Sequence, residues 1–156
     1  FLEVAEALEK FDGQPTGRRM ILVISDGLEG SFGRRLANPY FSAYLDKAIR
    51  EAQRRGVAVY TIHAPTAGRA RLRRHAANYG QASLLRLAEE TGGEAFSSGI
   101  VFVSFRPYFK EYKELLNNQW LIKYKSNITK KGFRRIEVTT DFDIHLHHLA
   151  GYTPKQ

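Results

Sequence analysis

The spacing of apolar positions predicts alternating helices and strands over the first two thirds of the chain. In "FLEVAEALEKF" at residues 1–11, apolar side chains recur about every third position, as on one face of an amphipathic helix. Residues 20–24, "MILVI", are apolar without interruption, which is typical of a strand buried on both faces of a parallel sheet. A second helical stripe covers residues 38–56 and ends at Gly56, a residue type that commonly follows a helix.

The pattern then repeats. "VAVYTI" at 57–62 is a second β-rich run, followed by a basic loop and a third helix, "ASLLRLAEETGG", at 82–93. "EAF" at 94–96 is a short third strand. Strand, helix, strand, helix and strand joined by short connections indicate right-handed βαβ units and a mainly parallel sheet. The predicted fold class is therefore α/β.

The last third has a different pattern. Residues 106–118 are helical by their spacing, whereas 119–126 and 133–142 alternate between apolar and polar side chains. Because Lys131-Gly132 lies between the two alternating runs, they predict a β-hairpin with one solvated face. We expect an α/β domain over 1–104, with the helix and hairpin of 105–156 packed on it.

The amino-acid composition excludes several kinds of site. The 156 residues include no cysteine, which excludes disulfides, thiol catalysis and thiolate metal sites. No apolar run approaches the roughly 20 residues that cross a bilayer. The chain opens at Phe1 and its one methionine is Met20, so we expect sequence upstream of it.

The net charge of +8 is concentrated in two basic clusters, at 68–75 and 129–135. A solvated basic surface is the favoured interpretation of such clusters. The alternative is a surface for nucleic acid or another anionic polymer, with affinity that falls as salt is added. Its residues would be Arg69, Arg71, Arg73, Arg74, Lys130, Lys131, Arg134 and Arg135.

A candidate site follows the first predicted strand. Ligands of open parallel sheets bind beyond the carboxyl ends of the strands, where Ser25 and Asp26 lie. Together with Glu29 and Ser31, they supply the oxygen ligands that Mg²⁺ prefers. A turn-forming aspartate is the competing interpretation, and spacing alone favours it.

Several blocks in order carry a family resemblance: "GRRMILVISDG", "AIREAQRRGVAVYTI", "LLRLAEETGGEAF", "YKELLNNQWLIKYKSN", "KGFRRIEVTTD" and "AGY". The first three resemble the second half of a von Willebrand factor A domain. The last three resemble the bacterial branch called the VWFA-related Acidobacterial-type domain. The resemblance implies a Rossmann-like, three-layer sandwich and a non-enzymatic, adhesion-type module that binds another protein, in an extracytoplasmic setting.

The same resemblance implies a metal-ion-dependent adhesion site. In the family, an Asp-x-Ser-x-Ser loop, a threonine from a second loop and an aspartate in a Ser/Thr-Asp-Gly turn surround a divalent cation, and an acidic residue of the partner completes its shell. Asp26 matches the last of these elements, whereas Asp-x-Ser-x-Ser is absent and Thr16 lies in the wrong loop. We therefore expect a C-terminal portion of the domain that lacks the first strand, or a strand 20–25 whose edge is covered by a partner. A third interpretation is a structural assembly subunit with a degenerate metal site.

Other candidate residues have simpler explanations. His145 and His147 would share one face of a strand as an imidazole pair, but without a third ligand the favoured interpretation is surface histidines. His63 reaches the carboxyl edge of the sheet, and a hydrogen-bonded turn residue is favoured there.

The sequence contains no recognised motif for catalysis or nucleotide binding. No nucleophile elbow, phosphate loop or His-Glu-x-x-His occurs, so we expect no enzymatic activity. Tyr108, Tyr112 and Trp120 are better explained by packing than by base stacking.

Overall fold

A computed structural model describes residues 1–15, 17–29, 38–64, 70–97, 104–127 and 132–152, with the side chains of 70–75 left out. The helices in these ranges are α1 (Leu2–Glu9), α2 (Ala43–Arg55), α3 (Ala70–Thr91) and α4 (Arg106–Asn117). The strands are β1 (Met20–Ser25), β2 (Ala58–His63), β3 (Ala95–Ser97), β4 (Arg134–Arg135) and β5 (Gly151–Tyr152).

The first three strands form a parallel sheet in the order β1-β2-β3. Met20 of β1 lies opposite Ala58 of β2, and Thr61 of β2 lies opposite Ala95 of β3. The helices α2 and α3 supply the two crossover connections. The predicted parallel α/β arrangement is therefore confirmed, while its finer assignment to a von Willebrand A sandwich stays a prediction.

Helix α2 ends where its sequence predicts, but it begins five residues later than the predicted stretch of 38–56. Ser42 caps its start, since the Ser42 hydroxyl accepts a hydrogen bond from Leu45 N–H at 3.2 Å. Gly56 ends it with a positive φ of 63°, which costs glycine no steric strain. The predicted apolar stripe is buried at Leu45, Ala48, Ile49 and Ala52.

Helices cover both faces of the sheet. On one face, Ile21, Val23 and Val59 pack with α1, α2 and Leu87 of α3. On the other face, alternate strand residues such as Leu22 and Ile62 pack against α4. This alternation is what the period of two along a strand requires, and it places one apolar cluster on each face of the sheet.

Helix α3 begins earlier than predicted. The helix starts at Ala70 instead of Ala82, so the predicted basic loop is helical in its second half. Residues 70–81 contain alanine, arginine, leucine and glutamine, which are good helix formers. The basic run had suggested a loop, and that interpretation was wrong for residues 70–81.

The predicted hairpin between 119–126 and 133–142 is also wrong. No strand occurs within 119–127, and β4 instead pairs antiparallel with β5, with Ile136 N–H donating to Ala150 O at 3.0 Å. Alternation predicts a strand only where one face is buried, but the neighbouring Trp120 and Leu121 are both exposed. Gly151 suits the observed pairing because a Cβ there would lie 2.1 Å from Arg134 O.

Candidate functional site

The candidate site lies at the carboxyl edge of the parallel sheet. Register places Ser25 of β1 opposite His63 of β2, and His63 opposite Ser97 of β3. These three residues form one polar row across the sheet, and Asp26 follows directly after the first of them. The expected convergence of polar residues at this edge is therefore present.

Asp26 and Ser25 shape the turn that leaves β1. The Asp26 carboxylate oxygen Oδ1 accepts a hydrogen bond from Leu28 N–H at 3.1 Å. The Ser25 hydroxyl accepts one from Gly27 N–H, also at 3.1 Å. Both side chains are half-buried, and Gly27 has a positive φ of 69°. The aspartate thus has a structural role in an Asx turn, which is compatible with binding a cation through its remaining lone pairs.

Helix α3 crosses directly over this turn. A Cβ added at Gly80 would lie 1.9 Å from the main-chain oxygen of Asp26, and one added at Gly27 would lie 2.2 Å from Gly80 O. Gly80 was not identified from the sequence, although an isolated glycine in a helical pattern is a recognised signal of close packing. The close contact between Gly27 and Gly80 thus packs the turn that carries Asp26 against helix α3.

The structure describes only one of the two remaining predicted metal ligands. Glu29 is buried, with only 7% of the residue exposed. Ser31 lies outside the described residues. Among the residues that the structure describes, no group of three or more histidine, aspartate or glutamate side chains is arranged to hold a metal ion. Asp26 and Ser25 would therefore supply only part of a cation shell.

His63 is a buried strand residue. It is the last residue of β2 and is only 2% exposed, so the turn interpretation was wrong. Its register opposite Ser25 brings an imidazole to the same edge as Asp26.

Among the strands that the structure describes, β1 pairs only with β2 and forms one edge of the sheet. Ala58 N–H donates to Arg19 O and Ala64 N–H donates to Ser25 O, so odd-numbered residues of β1 direct their main chain toward β2. Leu22 and Ile24 direct theirs outward. No other strand in the described ranges pairs with that side, and the Ile24 residue is 45% exposed.

Most side chains of the predicted basic surface lie outside the part of the chain that the structure describes. Arg69, Lys130 and Lys131 fall in undescribed segments. Helix α3 includes the backbone of Arg71, Arg73 and Arg74, but their side chains are not described. Arg134 is half-buried in β4 and Arg135 is exposed beside it. Binding of nucleic acid or an anionic polymer thus stays a prediction.

The aromatic residues of α4 pack on the sheet as expected. Tyr112 meets Tyr60 edge-to-face with ring centroids 4.9 Å apart, and burial raises the pKa of both phenols. Tyr108 stacks at a tilt against Phe96, with ring centroids 5.9 Å apart. Trp120 differs, since 92% of this residue is exposed, so the packing interpretation was wrong for it.

Comparisons with known proteins gave no match. No family model matches the chain, and neither a curated protein nor a solved structure does. Within the described part of the chain, no helix is long and apolar enough to span a membrane.

Proposed function

We propose that this chain is a non-enzymatic protein–protein interaction module of the von Willebrand A type, which contacts its partner through a divalent cation near Asp26. The observation that carries the proposal is the position of Ser25-Asp26 at the carboxyl end of β1, next to the polar row of a parallel sheet. Ligand sites of open parallel sheets lie at this edge.

The chemistry of the turn suits Mg²⁺ or a similar hard cation. Asp26 offers a carboxylate, and Ser25 offers a hydroxyl that already accepts from Gly27 N–H. Mg²⁺ is often bound through one or two carboxylates and keeps several waters. The resemblance to von Willebrand A domains adds that an acidic side chain of the partner completes the shell, which explains why a module of this type recognises an acidic group.

Metal binding to the full-length protein tests the proposal. Titration calorimetry with Mg²⁺ should give a binding signal that Asp26→Asn and Asp26→Ala both remove. Asparagine keeps the acceptor oxygen for Leu28 N–H and loses only the charge, so it separates metal binding from the turn. The exposed Glu137→Ala is the matched carboxylate control and should bind as the wild type does. If the wild type and Asp26→Asn bind Mg²⁺ equally, Asp26 is not a metal ligand.

A second candidate function rests on the open edge of β1. An apolar strand with one free edge is a template for pairing, and folded proteins normally cover such edges. Leu22 and Ile24 direct their N–H and C=O groups outward, and β1 is only half-buried where β2 is buried. A structural assembly subunit, its β1 edge covered by a neighbouring subunit, fits this arrangement.

Ile24→Pro tests the assembly function. Proline would remove an outward N–H donor from β1 and no hydrogen bond to β2, and edge strands tolerate it. Ile24→Thr is the control because it keeps the N–H and the β propensity. Sedimentation velocity should show an assembly that Ile24→Pro dissociates and Ile24→Thr retains. A wild-type protein that sediments as a monomer would contradict this function, and loss of the assembly on chelation would favour the cation-dependent one.

A further inference from the structure

A second cluster of titratable side chains lies on the opposite side of the sheet from Asp26. Glu94 immediately precedes β3, the strand at the far edge from β1. The segment before β5 brings His145 and His147 alongside it, with the two imidazole rings edge-to-face and their centroids 4.5 Å apart. The sequence had placed the two histidines on one face as a possible imidazole pair, with surface histidines as the favoured interpretation, and the structure places their rings in contact.

Glu94 orients one of the two rings. His147 Nδ1 lies 2.9 Å from Glu94 Oε2, and the two side chains are 25% and 32% exposed. Because an ionised carboxylate only accepts hydrogen bonds, Nδ1 must carry the proton. In the neutral ring, Nε2 then holds the lone pair that a metal ion uses. A carboxylate behind a histidine in this way fixes the tautomer and raises ligand basicity in metal sites.

The backbone near the pair is docked on the body of the domain. A Cβ at Gly92 would lie 2.5 Å from Leu149 N and 2.6 Å from the carbonyl carbon of His148, so this segment rests on the end of α3. His148 directs its ring elsewhere, since its Nδ1 lies 2.9 Å from Leu149 O. The imidazole pair is thus held next to Glu94 by packing and by the contact between His147 Nδ1 and Glu94 Oε2.

We propose that His145 and His147 form a two-imidazole site for a divalent transition-metal ion such as Zn²⁺, Cu²⁺ or Ni²⁺, with Glu94 as the positioning residue. Imidazole nitrogen suits these ions, whereas Mg²⁺ and Ca²⁺ prefer oxygen. Within the described residues no group of three or more such side chains has a metal-binding arrangement, so waters complete the shell. The site is open and lies away from the carboxyl edge that carries Asp26.

Titration with Zn²⁺ alone tests the site. We expect one Zn²⁺ per chain by calorimetry, and an at least about tenfold weaker affinity in both His145→Ala and His147→Ala. Glu94→Gln should weaken binding by about 10-fold or more, the usual effect of losing an orienting partner of a ligand histidine. His148→Ala is the matched control, because it removes the neighbouring imidazole and should leave the affinity unchanged.

A spectroscopic readout separates binding from folding. Cu²⁺ bound to the wild type should show coupling to two nitrogen nuclei by electron paramagnetic resonance, and each single histidine variant should show one fewer. Absence of Zn²⁺ binding, or equal weakening by His148→Ala, would overturn the proposal. Asp26→Asn should leave Zn²⁺ binding intact, so this test is independent of the cation proposed at Asp26.

Discussion

Gly80 of α3 and Asp26 after β1 are in direct main-chain contact: a Cβ at position 80 would stand 1.9 Å from the Asp26 carbonyl oxygen. The contact ties the candidate site to the longest helix in the described part of the chain. Any side chain at position 80 must push α3 away from the turn, because the opposing atoms are backbone and cannot rotate aside.

Gly80→Ala should therefore destabilise the fold. In an ordinary helix interior, alanine is favoured over glycine by about 1 kcal/mol. Here the clash with Asp26 outweighs that gain, and overpacking of this kind costs about 1–3 kcal/mol. Urea unfolding measures the change in the free energy of unfolding. The exposed Asn78→Ala in the same helix is the control and should be neutral or slightly stabilising; a more stable Gly80→Ala would contradict the observed contact.

Thr91 supplies a hydrogen-bond acceptor to β2 at a position that β3 does not reach, since β3 pairs with β2 only from Thr61 onward. Val59 N–H donates to Thr91 Oγ1 at 3.0 Å, and Thr91 Oγ1 donates to Leu87 O at 2.7 Å, all within the core. Thr91→Val keeps the shape but leaves a buried N–H without an acceptor, which costs about 1–3 kcal/mol. Thr91→Ser keeps the hydroxyl and should lose less stability. Thermal unfolding of the two variants measures the difference, and equal losses would exclude this role of the hydroxyl.

The ion pair between Asp12 and Arg55 should make stability fall in acid. Asp12 Oδ1 accepts from Arg55 Nε at 2.9 Å and Oδ2 from Nη2 at 2.7 Å, and this hydrogen bonding lowers the pKa of Asp12. A lowered pKa in the folded state gives stability that is present above the unfolded value, about 3.9. That stability is lost as the pH falls through the lower folded value.

Asp12→Asn should accordingly be less stable than the wild type at pH 7, and the difference should shrink as the pH falls below about 4. Chemical unfolding across this range measures it, with the exposed Glu9→Gln as the control. Added salt should also reduce the difference, because the Asp12 side chain is partly exposed. A pH-independent difference would contradict the assigned pKa direction.

Trp120 offers a direct check of the region where the predicted hairpin failed. Because 92% of this residue is exposed, its fluorescence should resemble that of an indole in water and should be quenched by iodide and acrylamide alike. The chain has one tryptophan, so the signal reports a single position. A blue-shifted emission that iodide does not quench would indicate the packed environment that the alternating pattern had predicted.

Much of the sheet could be predicted because local signals and burial agree there. The uninterrupted apolar run of β1 and the Gly56 end of α2 each encode their structure within a few residues. The start of α3 was missed because the basic run was interpreted as a loop. The role of Gly80 in that helix could not be predicted, because its close contact with Asp26 exists only in the folded chain.

In the candidate sites, too, local sequence predicted some features, whereas others depend on tertiary packing. Strand order and the polar ending of β1 placed Asp26 at the sheet edge, but the burial of Glu29 depends on tertiary packing. Glu94 was not connected with His147 because 53 positions separate them in the sequence, and only the fold brings their side chains to 2.9 Å. Pairing of β4 with β5 was missed for a similar reason, since two-residue strands leave almost no periodicity.

The most direct measurement of the central claim is a Mn²⁺ titration of the isotope-labelled full-length protein, followed by nuclear magnetic resonance. Mn²⁺ favours oxygen ligands as Mg²⁺ does, and its unpaired electrons broaden the signals of nearby amides. A cation at Asp26 predicts that the amide signals of Gly27 and Leu28 broaden first, and that Asp26→Asn abolishes this effect. If those signals stay sharp, or broaden equally in Asp26→Asn, then Asp26 holds no cation and the proposed mode of partner binding is wrong.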